Sequence, residues 1–249
     1  MKRSKHQPKL ADDKPKPVKK SVSFMQDAPG EVSTGEDLKT SPKSASVVPQ
    51  LKNNLLAIPI HNLLILWGLF HYRLTEDIES VMLKGFITSL PIQAGYNYLL
   101  AKNTTRKSKS TNIPLLVGSS ILVSFLLAVP LFATLILLGA PVYKFSFKTL
   151  CLALHLSQLI FTPLLVLYEL QFENFTLLFH QQRIYFTIFR HPVLSSVLLS
   201  LGCCWLGVIP IPLDWDRPWQ QWPITLLVGG YAGGVVGSVL SLVVNIWHR

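Results

Sequence analysis

The sequence predicts an all-α fold: a polytopic membrane bundle of about six transmembrane helices behind a disordered N-terminal tail. Three observations lead there. The 249-residue chain is 49% hydrophobic and only 14% charged, against roughly 25% charged in an ordinary soluble domain. Its charges are unevenly placed, with eleven of the 23 Lys/Arg and six of the 13 Asp/Glu inside residues 1–52. The remainder, residues 53–249, divides into apolar runs of near-spanning length. A soluble core of that size needs far more polar surface to cover it. Lipid is the solvent this composition asks for.

Residues 1–52 form the first unit, a basic tail rich in Lys, Pro and Ser that includes Lys14-Pro15-Lys16-Pro17. Such a segment cannot bury enough apolar surface to offset its ordering entropy, so disorder is expected. The net charge of +10 raises nucleic acid as a partner, because basic patches attract phosphate. About half of that excess sits in the tail, and the rest is scattered with no basic face interleaved with aromatics. No nucleic-acid partner is therefore expected, and anionic lipid headgroups are the natural counterpart. The amino terminus lacks a signal-peptide pattern, which makes the first span an uncleaved anchor.

Residues 53–249 form the second unit, the transmembrane domain. A spanning helix needs about 20 largely apolar residues. The first candidate runs from Leu55 to Tyr72, and Arg73 to Asp77 makes a short turn. Ile78 to Ala101 is a weaker second span, interrupted by Lys84, Pro91 and Gln93, and Asn103 to Asn112 is a polar basic loop. Ile113 to Leu138 is the third and most hydrophobic span, with Pro130 as a candidate kink. The fourth covers Thr149 to Tyr168 and contains Pro163. An amphipathic connection, Glu169 to His191, suits the membrane surface. Pro192 to Leu213 and Ile224 to Trp247 complete the six.

Orientation follows from Lys/Arg in short loops. A cytosolic tail puts Lys102, Arg106, Lys107, Lys109, Arg183, Arg190 and Arg249 in the cytosol, against Arg73, Lys144, Lys148 and Arg217 on the other side. Both termini are then cytosolic. The sequons Asn103-Thr104-Thr105 and Asn174-Phe175-Thr176 share that face and are expected to stay unmodified.

Intramembrane chemistry usually declares itself through ionisable residues in mid-span, and these spans are nearly free of them. Glu79 and Glu169 lie at span ends, and Lys84 sits about two turns into the second span. His61 and His155 are lone histidines in apolar surroundings, where a hydrogen-bonded packing role is commoner than catalysis. Cys151, Cys203 and Cys204 form no CxxC pair and have no histidine at ligand spacing. There is no HExxH, no serine elbow, no phosphate-gripping loop and no carboxylate pair at metal spacing. No catalytic residue, metal or cofactor is expected.

Two features stand out instead. Between the last two spans lies Leu213-Asp214-Trp215-Asp216-Arg217-Pro218-Trp219-Gln220-Gln221-Trp222-Pro223, with three of the six tryptophans in eight residues. Trp215, Trp219 and Trp222 have helical-face spacing, although Pro218 and Pro223 break any long helix. The tryptophans read either as membrane-interface anchors or, with Asp214, Asp216, Arg217 and Gln220, as a surface for a protein or lipid partner. The second feature is a small-residue stripe in the sixth span. Gly229, Gly233 and Gly237 repeat every four residues, with Gly230, Gly234 and Ser238 beside them. Bare faces of this kind let another helix approach closely; the pattern does not say whether that helix belongs to this chain.

The run Pro212 to Pro223 followed by the Gly229–Gly237 stripe closely resembles the PIG-F family of glycosylphosphatidylinositol (GPI) anchor biosynthesis proteins. The resemblance extends over roughly residues 55–249 in length and span arrangement, and the tail length resembles that of a fungal member. It implies a multi-pass protein of the endoplasmic reticulum membrane that brings no catalytic residues of its own. Family members associate with and stabilise large catalytic subunits, each with a luminal domain, that transfer ethanolamine phosphate to mannoses of the GPI precursor. The alternative is a lipid transporter or scramblase supplying substrate in the same pathway, for which Pro91, Pro130 and Pro163 offer points of bending.

Overall fold

The computed structural model of the chain describes residues 48–105, 112–141, 143, 145–180, 183–213 and 217–247. Nearly all of the expected tail lies outside them. The described residues contain eight α-helices: α1 (His61–His71), α2 (Ile78–Asn103), α3 (Ile113–Leu137), α4 (Ser146–Leu167), α5 (Phe172–Phe179), α6 (Ile184–Arg190), α7 (Pro192–Leu206) and α8 (Ile224–Trp247). Leu51 and Thr104 make an isolated antiparallel bridge, and no strand is present among the described residues.

Helix starts and stops follow local chemistry. Ile58, preceding Pro59, is extended, as steric clash with a following proline ring requires, so the expected first span begins as a 3₁₀ turn (Leu55–Ala57) and only becomes α-helical at His61. The Asp77 carboxylate caps α2 by accepting from the Ser80 N–H at 3.2 Å. Pro91 lies within α2 without ending it. After Leu206 the chain leaves the helix in successive turns on the approach to Pro210 and Pro212, which cannot donate to a helix ladder.

Helix α3 and the second half of α2 are inside-out relative to a soluble bundle, while α4 and the first half of α2 also bury large apolar side chains. In α3 the buried positions are Leu116, Val117, Ser120, Ser124 and Ala128, while Leu115, Leu122, Phe125, Leu126 and Val129 face outward. In α2 the buried stripe Ile78, Met82, Phe86, Ser89, Gln93, Asn97 and Leu100 becomes polar in its second half, and Ile87 and Leu99 point out. Small and polar groups inside with large apolar groups outside is the arrangement that lipid favours. Helix α4 is the centre: it packs on α2, α3, α7 and α8, and most of its residues are buried.

Three helices, α3, α4 and α8, are long and apolar enough to cross a membrane, and the α6–α7 pair makes a fourth if its 100° bend lies within one span. The expected count of six differs because α1 has only 11 residues and α7 only 15, which extend roughly 16 and 22 Å against a hydrocarbon core of about 30 Å. Helix α2 has 26 residues. Its inward polar stripe, rather than its length, lowers its apolar character.

Candidate functional site

The loop between α7 and α8 is organised by Gln220. Pro218 opens a 3₁₀ turn (Pro218–Gln220), a position where its missing N–H leaves nothing unpaired. The Gln220 side chain is buried. Its Oε1 accepts from the Arg217 N–H at 2.8 Å, and its Nε2 donates to the carbonyls of Pro210 at 2.8 Å and Leu213 at 3.1 Å. One amide thus ties together the two sides of the loop. Asp214, Trp215 and Asp216 lie outside the described residues.

Trp222 turns inward against the main apolar cluster, and its Nε1 donates to Thr149 Oγ1 at 3.1 Å. That bond fastens the loop to the start of α4. Arg217, Pro218 and Trp219 lie on the surface. The expected common helical face for Trp219 and Trp222 is not formed, because the turn between Pro218 and Pro223 is only three residues long and Gln221 is extended.

The glycine stripe meets α7 of the same chain. A Cβ on Gly229 would fall on the carbonyl of Cys203, on Gly233 on that of Leu199, and on Gly237 on that of Ser195; Gly207 faces the Thr225 carbonyl in the same way. Contacts step up by four on α8 as they step down by four on α7, which fixes an antiparallel pair in one register. The second row lies to one side of that contact: Gly230 is against Leu156 of α4, and Gly234 sits between side chains of α7 (Ser200 and Ser196) and Asn62 of α1.

Sequence reasoning missed the polar lacing of this pair. Ser195 Oγ donates to the Gly237 carbonyl at 2.7 Å and Ser196 Oγ to that of Gly234 at 2.8 Å, while Ser238 Oγ reaches the Pro192 carbonyl at 3.3 Å. At the bend, Ser241 Oγ and Asn245 Nδ2 both donate to the Arg190 carbonyl at 2.8 Å. Serines on two spans beside a glycine stripe were the only signal, and their pairing depends on the register of α7 against α8.

The two histidines singled out in the sequence are both hydrogen-bonded. His155 Nε2 lies 3.0 Å from the Met82 carbonyl and Nδ1 2.7 Å from the Tyr231 hydroxyl. A carbonyl only accepts, so in the neutral ring Nε2 carries the proton and Nδ1 accepts from Tyr231. His61 Nε2 lies 3.2 Å from Gln93 Oε1. Cys151 and Cys204 are buried and unbridged. No group of three His, Cys, Asp or Glu able to hold a metal occurs among the described residues. What the loop and stripe can do chemically is pack helices, close a loop and present Arg217, Pro218 and Trp219.

The loop, the stripe, α7 and α8 up to residue 242 fall inside one match: the model of the GPI biosynthesis protein family Pig-F covers residues 57–242. The chain belongs to the Pig-F family. Its Pig-F relatives include the glycosylphosphatidylinositol anchor biosynthesis protein 11 of Candida albicans, 54% identical over 94% of this chain and 98% of the relative. The protein of the same name from Saccharomyces cerevisiae is 29% identical over 91% of this chain and 95% of its own. The human relative, named GPI ethanolamine phosphate transferase, stabilizing subunit, is 30% identical over 66% of this chain and 74% of its own. No solved structure matches this Pig-F chain.

Proposed function

We propose that the chain is a non-catalytic, stabilising subunit of the ethanolamine phosphate transferases that modify mannoses of the GPI precursor in the endoplasmic reticulum membrane. The observation that carries this is the 30% identity, over 167 residues, to a human protein named as the stabilizing subunit of such a transferase. In support, the residues of the candidate site are engaged in packing and loop closure, with one short surface patch left to meet a partner.

In this reading the six crossings are the 3₁₀ turn with α1 (Leu55–His71), α2, α3, α4, α7 with the turns that follow it, and α8. The two short helices are thus completed by the apolar segments adjoining them. The 26 residues of α2 and the antiparallel α7–α8 register favour it. An even count leaves both termini on one side, and the Lys/Arg bias assigns that side to the cytosol. Asn103, the acceptor of one sequon, is consistent with a face that receives no glycan: its Nδ2 donates to the Asn53 carbonyl at 2.6 Å and its Oδ1 accepts from the Asn53 N–H at 2.9 Å. The 100° bend lays α6 along the cytosolic surface when α7 crosses. Arg217, Pro218 and Trp219 then face the lumen, where Trp and Arg make effective anchors for the catalytic subunit.

Depleting the chain tests the proposal. GPI precursors lacking ethanolamine phosphate on their mannoses are expected to accumulate in lipid extracts. An unchanged precursor profile after complete depletion would overturn it.

A further inference from the structure

Lys84 is absorbed neither by packing nor by the proposed function. It lines a groove of about 520 Å³ between α1 and α2 whose walls are Leu64, Ile65, Leu69, Val81 and Ile92. Of the other polar side chains there, Thr88 Oγ1 donates to the Gly85 carbonyl at 3.2 Å and Ser89 Oγ to the Phe86 carbonyl at 2.8 Å, both on their own helix. The exposed Tyr72, with its phenol, lines the groove as well. No carboxylate lines the groove. Lys84 forms no salt bridge with a described residue; the Arg73–Glu76 pair lies in the turn between α1 and α2. An ionisable side chain among apolar helix faces in a membrane domain is a functional-site candidate.

The groove also has a direction. Lys84 is six residues beyond the start of α2, roughly 9 Å along the axis, and Ile92 lies roughly 21 Å along it. With α2 crossing as proposed above, the groove runs from near one membrane surface toward the middle of the bilayer. That matches one leaflet of lipid, with a phosphate at the Lys84 end and an acyl chain beyond it. A single positive charge with no neighbouring carboxylate complements a lipid of net charge minus one better than a zwitterion, whose own ammonium would find no partner.

We propose that the α1–α2 groove binds one anionic glycerophospholipid, its phosphodiester paired with Lys84 and an acyl chain laid toward Ile92. The inference goes beyond the accessory-subunit role and rests only on the membrane crossings of α1 and α2 given in that reading.

The test uses the full chain in phosphatidylcholine nanodiscs doped with a photoreactive phosphatidylinositol or, separately, a phosphatidylcholine bearing the same photoreactive chain. Cross-linked peptides are mapped by mass spectrometry. Phosphatidylinositol is expected to label residues 64–72 and 81–92 about fivefold more than phosphatidylcholine, the factor that one lysine at an anionic headgroup supplies. Lys84→Gln should abolish that excess and Lys84→Arg retain it. Gly68→Phe should remove both labels from the groove, since nothing lies within 4 Å of a Cβ at Gly68 and the ring fills the groove and not the core. Equal labelling by the two lipids, an excess that survives Lys84→Gln, or unchanged labelling in Gly68→Phe would each overturn the proposal. Lys84→Gln should leave co-purification with the large transferase subunit intact, so the two proposals fail separately.

Discussion

Gln220 makes three hydrogen bonds to backbone groups on either side of residues 214–216, while Trp222 fixes the end of the same loop to α4. Replacing Gln220 by Leu keeps most of the volume and leaves the Arg217 N–H and two carbonyls without this partner. These bonds are part-buried and their partners lie near solvent, so losing them costs about 1 kcal/mol net. Gln220→Leu is thus expected to lower thermal stability in detergent by that amount, whereas Trp222→Phe, which loses a single bond, should lower it less. Equal stability of Gln220→Leu and the parent chain would contradict the closure described. At this scale the sequence was partly legible. The tryptophan cluster and its flanking prolines marked the loop. Nothing in the pattern showed that Gln220 and Trp222 turn inward while Trp219 faces out, because that depends on Thr149, about 70 residues away in the chain, and on the short turn between two prolines.

At the scale of elements, α7 and α8 pack backbone to backbone. Three of the six small residues in the stripe sit opposite α7 carbonyls that a methyl group would strike. Gly229→Ala, Gly233→Ala and Gly237→Ala should each destabilise the fold by about 1–3 kcal/mol, since overpacking displaces backbone. Gly118→Ala and Gly202→Ala are the controls. Nothing lies within 4 Å of a Cβ at either, and alanine is the better helix former, so these should be neutral or stabilising by up to about 1 kcal/mol. Thermal unfolding of the five variants checks the contrast, and similar losses in both groups would contradict the register. The bounds of α2, α3, α4 and α8 were readable from apolar runs because those runs are long and their ends polar. The short α1 and α7 were not. Pro59, Pro210 and Pro212 do not interrupt an apolar run, so the backbone breaks near them are invisible to a reading by hydropathy. The serine ladder was hidden for a related reason: each serine satisfies a carbonyl only once the facing helix is in register.

The described residues form a helical membrane protein of the Pig-F family, with large apolar side chains over its outer faces as well as in its core around α4. This inversion of soluble patterning is clearest in α3 and the second half of α2, where small or polar groups turn inward. That inversion accounts for the low charge of residues 53–249 and for the polar stripe of α2. It also suits a protein whose work is to hold position: its buried histidines are hydrogen-bonded in place, and its glycine stripe is spent on internal packing. What remains for a partner is the surface of the α7–α8 loop and the lipid-facing flanks. The most direct measurement is purification of the tagged full chain from native membranes in mild detergent, with mass spectrometry of its partners and an assay of ethanolamine phosphate transfer from phosphatidylethanolamine to a GPI precursor. A large transferase subunit should co-purify, with transfer activity present in the complex and absent once the chain is stripped of that subunit. Transfer by the isolated chain, or its recovery without any transferase subunit, would contradict the accessory role.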